Sequence, residues 1–221
     1  MRLNLRLTGN TEAVPFDHLH NLIGALHKWL GRNELHDGTS LYSFGWLKGA
    51  HPEKGHLTFP RGATWRISFY DPAAAKALLQ GIMRDPVVLA GMRVFEAREQ
   101  AVPAFSGCHR FLVDSPVVVR KQRTDGSKAY LLYDDASADE GLTRILQWKL
   151  HQAGFAAEHL GATVQFDRMY TDARTQLAKI KGISHRGSEC PVVVTGTPEA
   201  VQFAWLVGVG ELTGSGFGAL Q

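Results

Sequence analysis

The sequence predicts an α+β chain built from two tandem ferredoxin-like (RRM-like, βαββαβ) sandwiches with a C-terminal glycine-rich loop. Three observations carry this. The first half reads strand, helix, strand, strand, helix, strand. The same order begins again after a turn-rich stretch near residues 102–107. The sequence then closes on GVGELTGSGFGALQ, with five glycines among its fourteen residues.

In the first half, Leu3, Leu5 and Leu7 alternate with polar residues, the pattern of a half-buried strand; further strands are expected over 41–47, 65–69 and 92–97. A helix is expected over 17–31, between Asp17 as N-cap and Gly31 as stop, with Leu19, Ile23, Leu26 and Leu30 as its core stripe. A second, over 73–83, follows Asp71-Pro72. The turn at 102–107 divides the chain into expected domains 1–104 and 105–221. The second half gives strands over 111–119, 162–168, 176–183 and 192–195, helices over 137–153 and 198–207, and a short last strand over 217–220. Packing both helices on one sheet face leaves the other face for a ligand. Trp29, Trp148 and Trp205 fall within helices and are expected in cores.

With 44% hydrophobic residues and a net charge of +3, the 221-residue chain fits ordinary globular cores and tolerates an anionic partner without requiring one. No apolar run is long enough for a membrane span and the first strand does not resemble a signal peptide, so a cytoplasmic protein without a membrane partner is expected. Cys108 and Cys190 are far apart, which suggests neither a disulfide framework nor a zinc knuckle. His18 and His20 lack a third ligand at sensible spacing, so neither metal nor cofactor is expected.

The tail admits three readings. A dinucleotide fingerprint fails on context, because a helix precedes the glycines where a strand should. Turn geometry accounts for two or three of the glycines. A loop without side chains also lets a phosphodiester backbone approach, its N–H groups facing the phosphate oxygens. That reading makes Gly208, Gly210, Gly214, Ser215, Gly216 and Gly218 candidate RNA contacts, and it expects Gly216→Val to weaken RNA binding while folding is mostly kept.

GVGELTGSGFG closely resembles the C-terminal glycine-rich motif of the CRISPR-associated repeat-processing endoribonucleases, the sixth Cas family. VPFDHLHNLIGALHKWLG and ELHDGTSLYSFGWLKG are similar to that family's first helix, catalytic-histidine loop and following aromatic strand, and DSPVVVRK to the opening strand of its second domain. The resemblance implies tandem ferredoxin-like domains and metal-independent cleavage of CRISPR precursor RNA within its repeats, leaving 2′,3′-cyclic phosphate and 5′-hydroxyl ends. It implies repeat RNA, precursor and mature, as the partner, alongside other Cas proteins of an effector complex, and leaves monomer and homodimer open.

The histidines carry the chemistry. His27 lies one residue along from the core stripe, at the edge of the core, and His36 follows in the polar segment RNELHDGTS, where a loop can present a side chain to a ligand. Two imidazoles can divide the proton work of RNA transesterification, one taking the 2′-hydroxyl proton and one donating to the 5′-oxygen. The resemblance places His36 on the family's usual catalytic histidine and His27 where another member carries tyrosine or histidine. Where some members have a lysine just after that histidine, this chain has only Thr39, Ser40, Tyr42 and Ser43; Lys48 or Lys28 remains to supply the positive charge.

Basic residues mark an RNA path. RTQLAKIKGISHR holds Lys179, Lys181, His185 and Arg186 with no carboxylate, in a region read as strand, turn and strand, and Arg120 and Lys121 precede a turn at Asp125-Gly126. The rival reading is a non-catalytic tandem-RRM RNA-binding subunit of a CRISPR effector complex, which would share the fold, the loop and the basic hairpin.

Overall fold

The computed structural model describes residues 1–31 and 39–221. The first half runs β1 (Arg2–Leu7), α1 (Leu19–Leu30), β2 (Tyr42–Phe44), a small hairpin of β3 (His51–Glu53) and β4 (His56–Thr58), β5 (Ala63–Phe69), α2 (Pro72–Arg84) and β6 (Val94–Gln100). Its four-stranded antiparallel sheet has the order β2-β5-β1-β6, the ferredoxin-like arrangement with the first strand central. Asp71 caps α2 through Oδ1, which accepts from the Ala73 N–H at 2.8 Å, with Pro72 beginning the helix. α1 opens at Leu19, with His18 rather than Asp17 at the cap position. Its stripe, with Leu22 and Trp29 added, packs on Leu3, Leu5 and Leu7 of β1 in the first core.

The second half contains β7 (Cys108–Phe111), β8 (Val119–Gln122), β9 (Lys128–Leu131), α3 (Ser137–Gln152), β10 (Thr163–Phe166), β11 (Arg174–Ile180), β12 (Ile183–Glu189), β13 (Val192–Thr195) and α4 (Pro198–Val207). Its sheet has the order β10-β13-β7, and the fourth strand, expected over 217–220, is reduced to a single bridge between Val113 and Leu220. The reduction follows from the hydrogen bonding just before it, since the N–H groups of Phe217 and Gly218 donate to Leu212 and Pro116. Of the strand expected over 111–119, only the two ends are in strands: Phe111 closes β7 and Val119 opens β8, while Val117 and Val118 form isolated bridges to Ser188 and Glu211. β11 and β12 pair in full register from Arg174 opposite Glu189 to Ile180 opposite Ile183. They join through Lys181 and Gly182, both at positive φ, the two-residue turn that matches strand twist.

The sheet face expected to stay free in the first half is partly occupied by the second half. Arg2, Ser68 and Ser43 are register partners across β1, β5 and β2, and this polar row receives the C-terminal end of α4. Arg2 is fully buried, lies 3.6 Å over the Trp205 ring and bonds the Trp205 carbonyl, while Ser43 Oγ donates to the Leu206 carbonyl at 2.8 Å. A cation at exposed helix carbonyls answers the partial negative charge there. Burial lowers the Arg2 pKa to about 9. Trp29 and Trp205 lie in cores, but Trp148 is exposed and stacks on His151. The buried stripe of α3 is Leu142, Leu146, Lys149 and Leu150, so the lysine takes the inward position beside the outward tryptophan.

Candidate functional site

The N-terminus of α1, the strand β2 and the glycine-rich tail meet along one line. Tyr42 Oη donates to the Gly214 carbonyl at 3.3 Å, and Trp46 Nε1 to the Gly216 carbonyl at 2.7 Å. A Cβ built on Gly214 would lie 2.5 Å from Ser40 Oγ, so the residues that resume the described chain after position 38 run against the tail. His36 lies outside the described residues. The described residues nearest to it in sequence are Gly31, at the C-terminal end of α1, and Thr39, next to this contact. His27 is half-buried on the last turn of α1, at the edge of the core as its spacing indicates.

The tail itself is packed. Gly208, Gly210, Gly214, Gly216 and Gly218 are all buried and Ser215 is half-buried. Gly216 shows why glycine is needed: its φ is +84°, and a Cβ there would lie 2.7 Å from Phe44 Cε2 and 3.0 Å from Leu19 Cδ2. Close packing therefore accounts for more of the glycines than turn geometry alone, and Gly216→Val threatens folding, contrary to the expectation from sequence. From Ser215 to Ala219 every backbone N–H donates within the protein, to Leu212, Thr213, Leu212, Pro116 and Ser115 in turn. The successive amides expected to face phosphate oxygens are engaged internally over this stretch.

Sequence reading missed Lys149, although its place on the apolar stripe of α3 was a signal. The side chain is buried beneath the tail, with Nζ donating to Thr213 Oγ1 at 2.9 Å and to the Val207 carbonyl at 3.4 Å. Burial pushes its pKa from 10.5 down to about 7. Between these values the unfolded chain holds a proton the folded chain has released, so this group makes stability rise with pH from about 7 towards 10.5. Lys149→Met is expected to flatten that rise, read as urea midpoints at several pH values; an unchanged slope would show that Lys149 does not titrate in this way.

The candidate RNA contacts separate by strand alternation. Cross-strand pairing puts Lys179, opposite Ser184, and Arg186, opposite Leu177, on the same exposed face of the β11–β12 hairpin, with Lys181 exposed at its tip. None of the three forms an ion pair among the described residues. His185 is on the inner face, 8% exposed, with Nδ1 3.2 Å from Tyr130 Oη and its ring edge-on to Phe217. Burial, followed by the Arg120 charge, lowers its pKa. The Arg120 guanidinium is held by Glu211, with Nε donating to Oε2 at 2.8 Å, and so ties β8 to the tail, leaving Lys121 as the exposed cation of that pair. Lys48 Nζ lies 3.4 Å from Asp114 Oδ1, where Arg66 also pairs, beside a cavity of about 650 Å³ between the halves. Lys28 bonds Asp85 and the Val87 carbonyl. Neither lysine is brought to the tail as a free cation. No group of three metal-ligating side chains occurs among the described residues, and no helix among them is long and apolar enough to cross a membrane.

Two ferredoxin-like halves, with a glycine-rich tail seated between the first helix and second strand, define a tandem ferredoxin-like protein. The family model described as CRISPR associated protein Cas6, C-terminal, matches residues 100–221, and the chain belongs to this Cas6 family. No curated protein matches it in sequence. Among solved structures it is similar to the product of a Cas6-related gene from Pyrococcus furiosus, at 20% identity and a TM-score of 0.88, covering 100% of this chain and 97% of that one. It is also similar to a RAMP protein described as binding different RNA substrates, at 18% identity and a TM-score of 0.81, covering 100% and 98%. A third similar structure is a Cas6 product complex, at 15% identity and a TM-score of 0.71, with coverage of 100% and 98%.

Proposed function

We propose that this protein is a metal-independent endoribonuclease that cleaves CRISPR precursor RNA within its repeats to give guide RNAs with 2′,3′-cyclic phosphate and 5′-hydroxyl ends. Family membership supports the substrate class, as does the likeness to a Cas6 product complex. The observation that carries the reading is local: the described residues that flank His36 in the sequence are Gly31, four residues after His27 at the end of α1, and Ser40, packed against Gly214 of the tail. One imidazole removes the proton of the 2′-hydroxyl as its oxygen attacks the adjacent phosphorus. The other protonates the departing 5′-oxygen, so the proton balance closes without an external nucleophile. Since the tail glycines pack on Phe44, Leu19 and Tyr42, their role in this account is to fix the floor of the site. Residues 1–104 supply the catalytic residues and 105–221 the RNA-holding hairpin. The setting is the cytoplasm, in association with other Cas proteins.

Incubation with repeat RNA in EDTA tests the activity. Discrete cleavage is the expected result, whereas a shifted but intact RNA would identify a binding subunit. The hairpin gives a second test. Neutralising Lys179, Lys181 or Arg186 should weaken repeat binding and reduce the magnitude of the salt slope by about one unit per lost phosphate contact. Equal slopes in wild type and variant would place the residue outside the RNA path.

A further inference from the structure

A groove of about 590 Å³ lies between the segment leading into α1, the stretch after β2, and the outer hairpin β11–β12. Phe16, Trp46, Leu57 and Leu177 make its apolar walls, and its polar side chains are Asp17, His18, Gln176 and Lys179. Phe16 is 57% and Leu177 50% exposed, so two large apolar side chains stand open on walls of one groove.

His18 is the informative residue. It is 8% exposed, and its Nε2 is buried with no hydrogen-bond partner among the described residues. Its Nδ1 lies 3.0 Å from the Pro15 carbonyl, an oxygen that can only accept, so Nδ1 carries the proton. Burial lowers the His18 pKa and favours the neutral ring. In that form Nε2 is an acceptor in want of a donor, a polar atom whose burial without a partner is unfavourable.

We propose that this groove is a nucleobase pocket, in which one unstacked base of the RNA lies between Phe16, Trp46 and Leu177 and donates an exocyclic amino N–H to His18 Nε2, with Lys179 at the neighbouring phosphate. The inference rests on the RNA-processing reading above and adds to it a residue that reads sequence. The groove is of a size that takes one nucleotide and has the lining such sites have, mostly apolar with a few placed polar groups. Single-stranded RNA is read in this way, by stacking a splayed base and bonding its edge. The charge fits, because Lys179 continues into the basic face formed with Arg186 and Lys181. The position also fits: His18 and His27 are nine residues apart on or at α1, about 14 Å at the helical rise, so the base read would be a near neighbour of the cut phosphate.

The test uses the whole protein with two probes. The four nucleoside 5′-monophosphates are titrated while the imidazole nitrogens are followed by NMR, His18 being assigned from His18→Phe. AMP, CMP or GMP should shift the His18 signal, and UMP, which has no amino group, should shift it less. Repeat RNAs with one abasic site at each position in turn are then compared between wild type, His18→Phe and Leu177→Glu. One position should weaken wild-type binding about tenfold or more and have little further effect in either variant, the non-additivity of groups in contact. Leu177→Glu changes an exposed residue and so guards against misfolding of the His18 variant. An unmoved His18 signal with all four monophosphates, or abasic penalties that the variants retain at every position, would overturn the pocket. Concentration-dependent dimerisation that Leu177→Glu abolishes would assign the groove to a second copy of the chain and overturn it as well. Failure to bind any repeat RNA would refute the reading of the activity, while the monophosphate titration would still decide the groove.

Discussion

Replacing His36 with alanine is expected to slow cleavage of repeat RNA by at least about a hundredfold, the lower range for a lost general acid or base, with affinity for the repeat nearly unchanged. The split is the informative part. A residue that acts only on protons in the transition state moves the cleavage rate and leaves binding alone. His27→Ala should slow the reaction less, since water or a hydroxyl can replace one proton carrier. Single-turnover rates with saturating enzyme, beside dissociation constants measured on a 2′-deoxy repeat, separate the two effects. Normal cleavage by the His36 variant would refute its assignment and leave the reaction class standing.

The second large effect is structural. Gly216→Val should destabilise the fold by about 2–5 kcal/mol, combining roughly 1–2 kcal/mol for a side chain at left-handed φ with about 1–3 kcal/mol for overpacking. The second contribution arises because the space a Cβ would need is taken by Phe44 and Leu19. Gly126 is the control: its φ is +81° and nothing lies within 4 Å of a Cβ built there, so Gly126→Val should show only the conformational part. Urea midpoints of the two variants measure the difference. Equal losses would mean that the tail yields around Gly216, and the glycine would then need a reason outside the fold, such as close approach of RNA.

The parts of the fold legible in the sequence are those whose residues repeat with a clear period. Leu3, Leu5 and Leu7 gave β1; Asp71-Pro72 gave the start of α2; and the basic segment from Arg174 was readable as strand, turn and strand, although the single strand expected over 176–183 runs through the turn at Lys181 and Gly182. The double ferredoxin-like order follows from these. What the sequence concealed depends on tertiary contacts, some between the halves and some within the second. The row of Arg2, Ser43 and Ser68 reads as the polar side of an ordinary exposed sheet until α4 is seen seated on it. The tail's glycines read as freedom for a ligand and are in fact a tight fit against β2 and α1. His185 counted as one more basic residue of the hairpin, yet strand alternation turns it inward to Phe217. Lys149 is a charged residue on an apolar stripe, and its partner Thr213 lies 64 residues away, where helical spacing gives no sign of it. Among the catalytic candidates, the edge position of His27 was readable from spacing alone, and His36 rests on its motif.

The central claim is that the substrate supplies its own nucleophile and histidines move the protons. The most direct measurement gives the wild-type enzyme, in EDTA, two repeat RNAs that differ only in a single 2′-deoxy substitution just upstream of the scissile phosphate. The account predicts that the all-ribose RNA is cut to a 2′,3′-cyclic phosphate and a 5′-hydroxyl, while the deoxy RNA binds and stays intact. Rapid cleavage of the deoxy RNA, or activity lost on chelation and restored by a divalent metal, would contradict it and point to a metal-activated water instead.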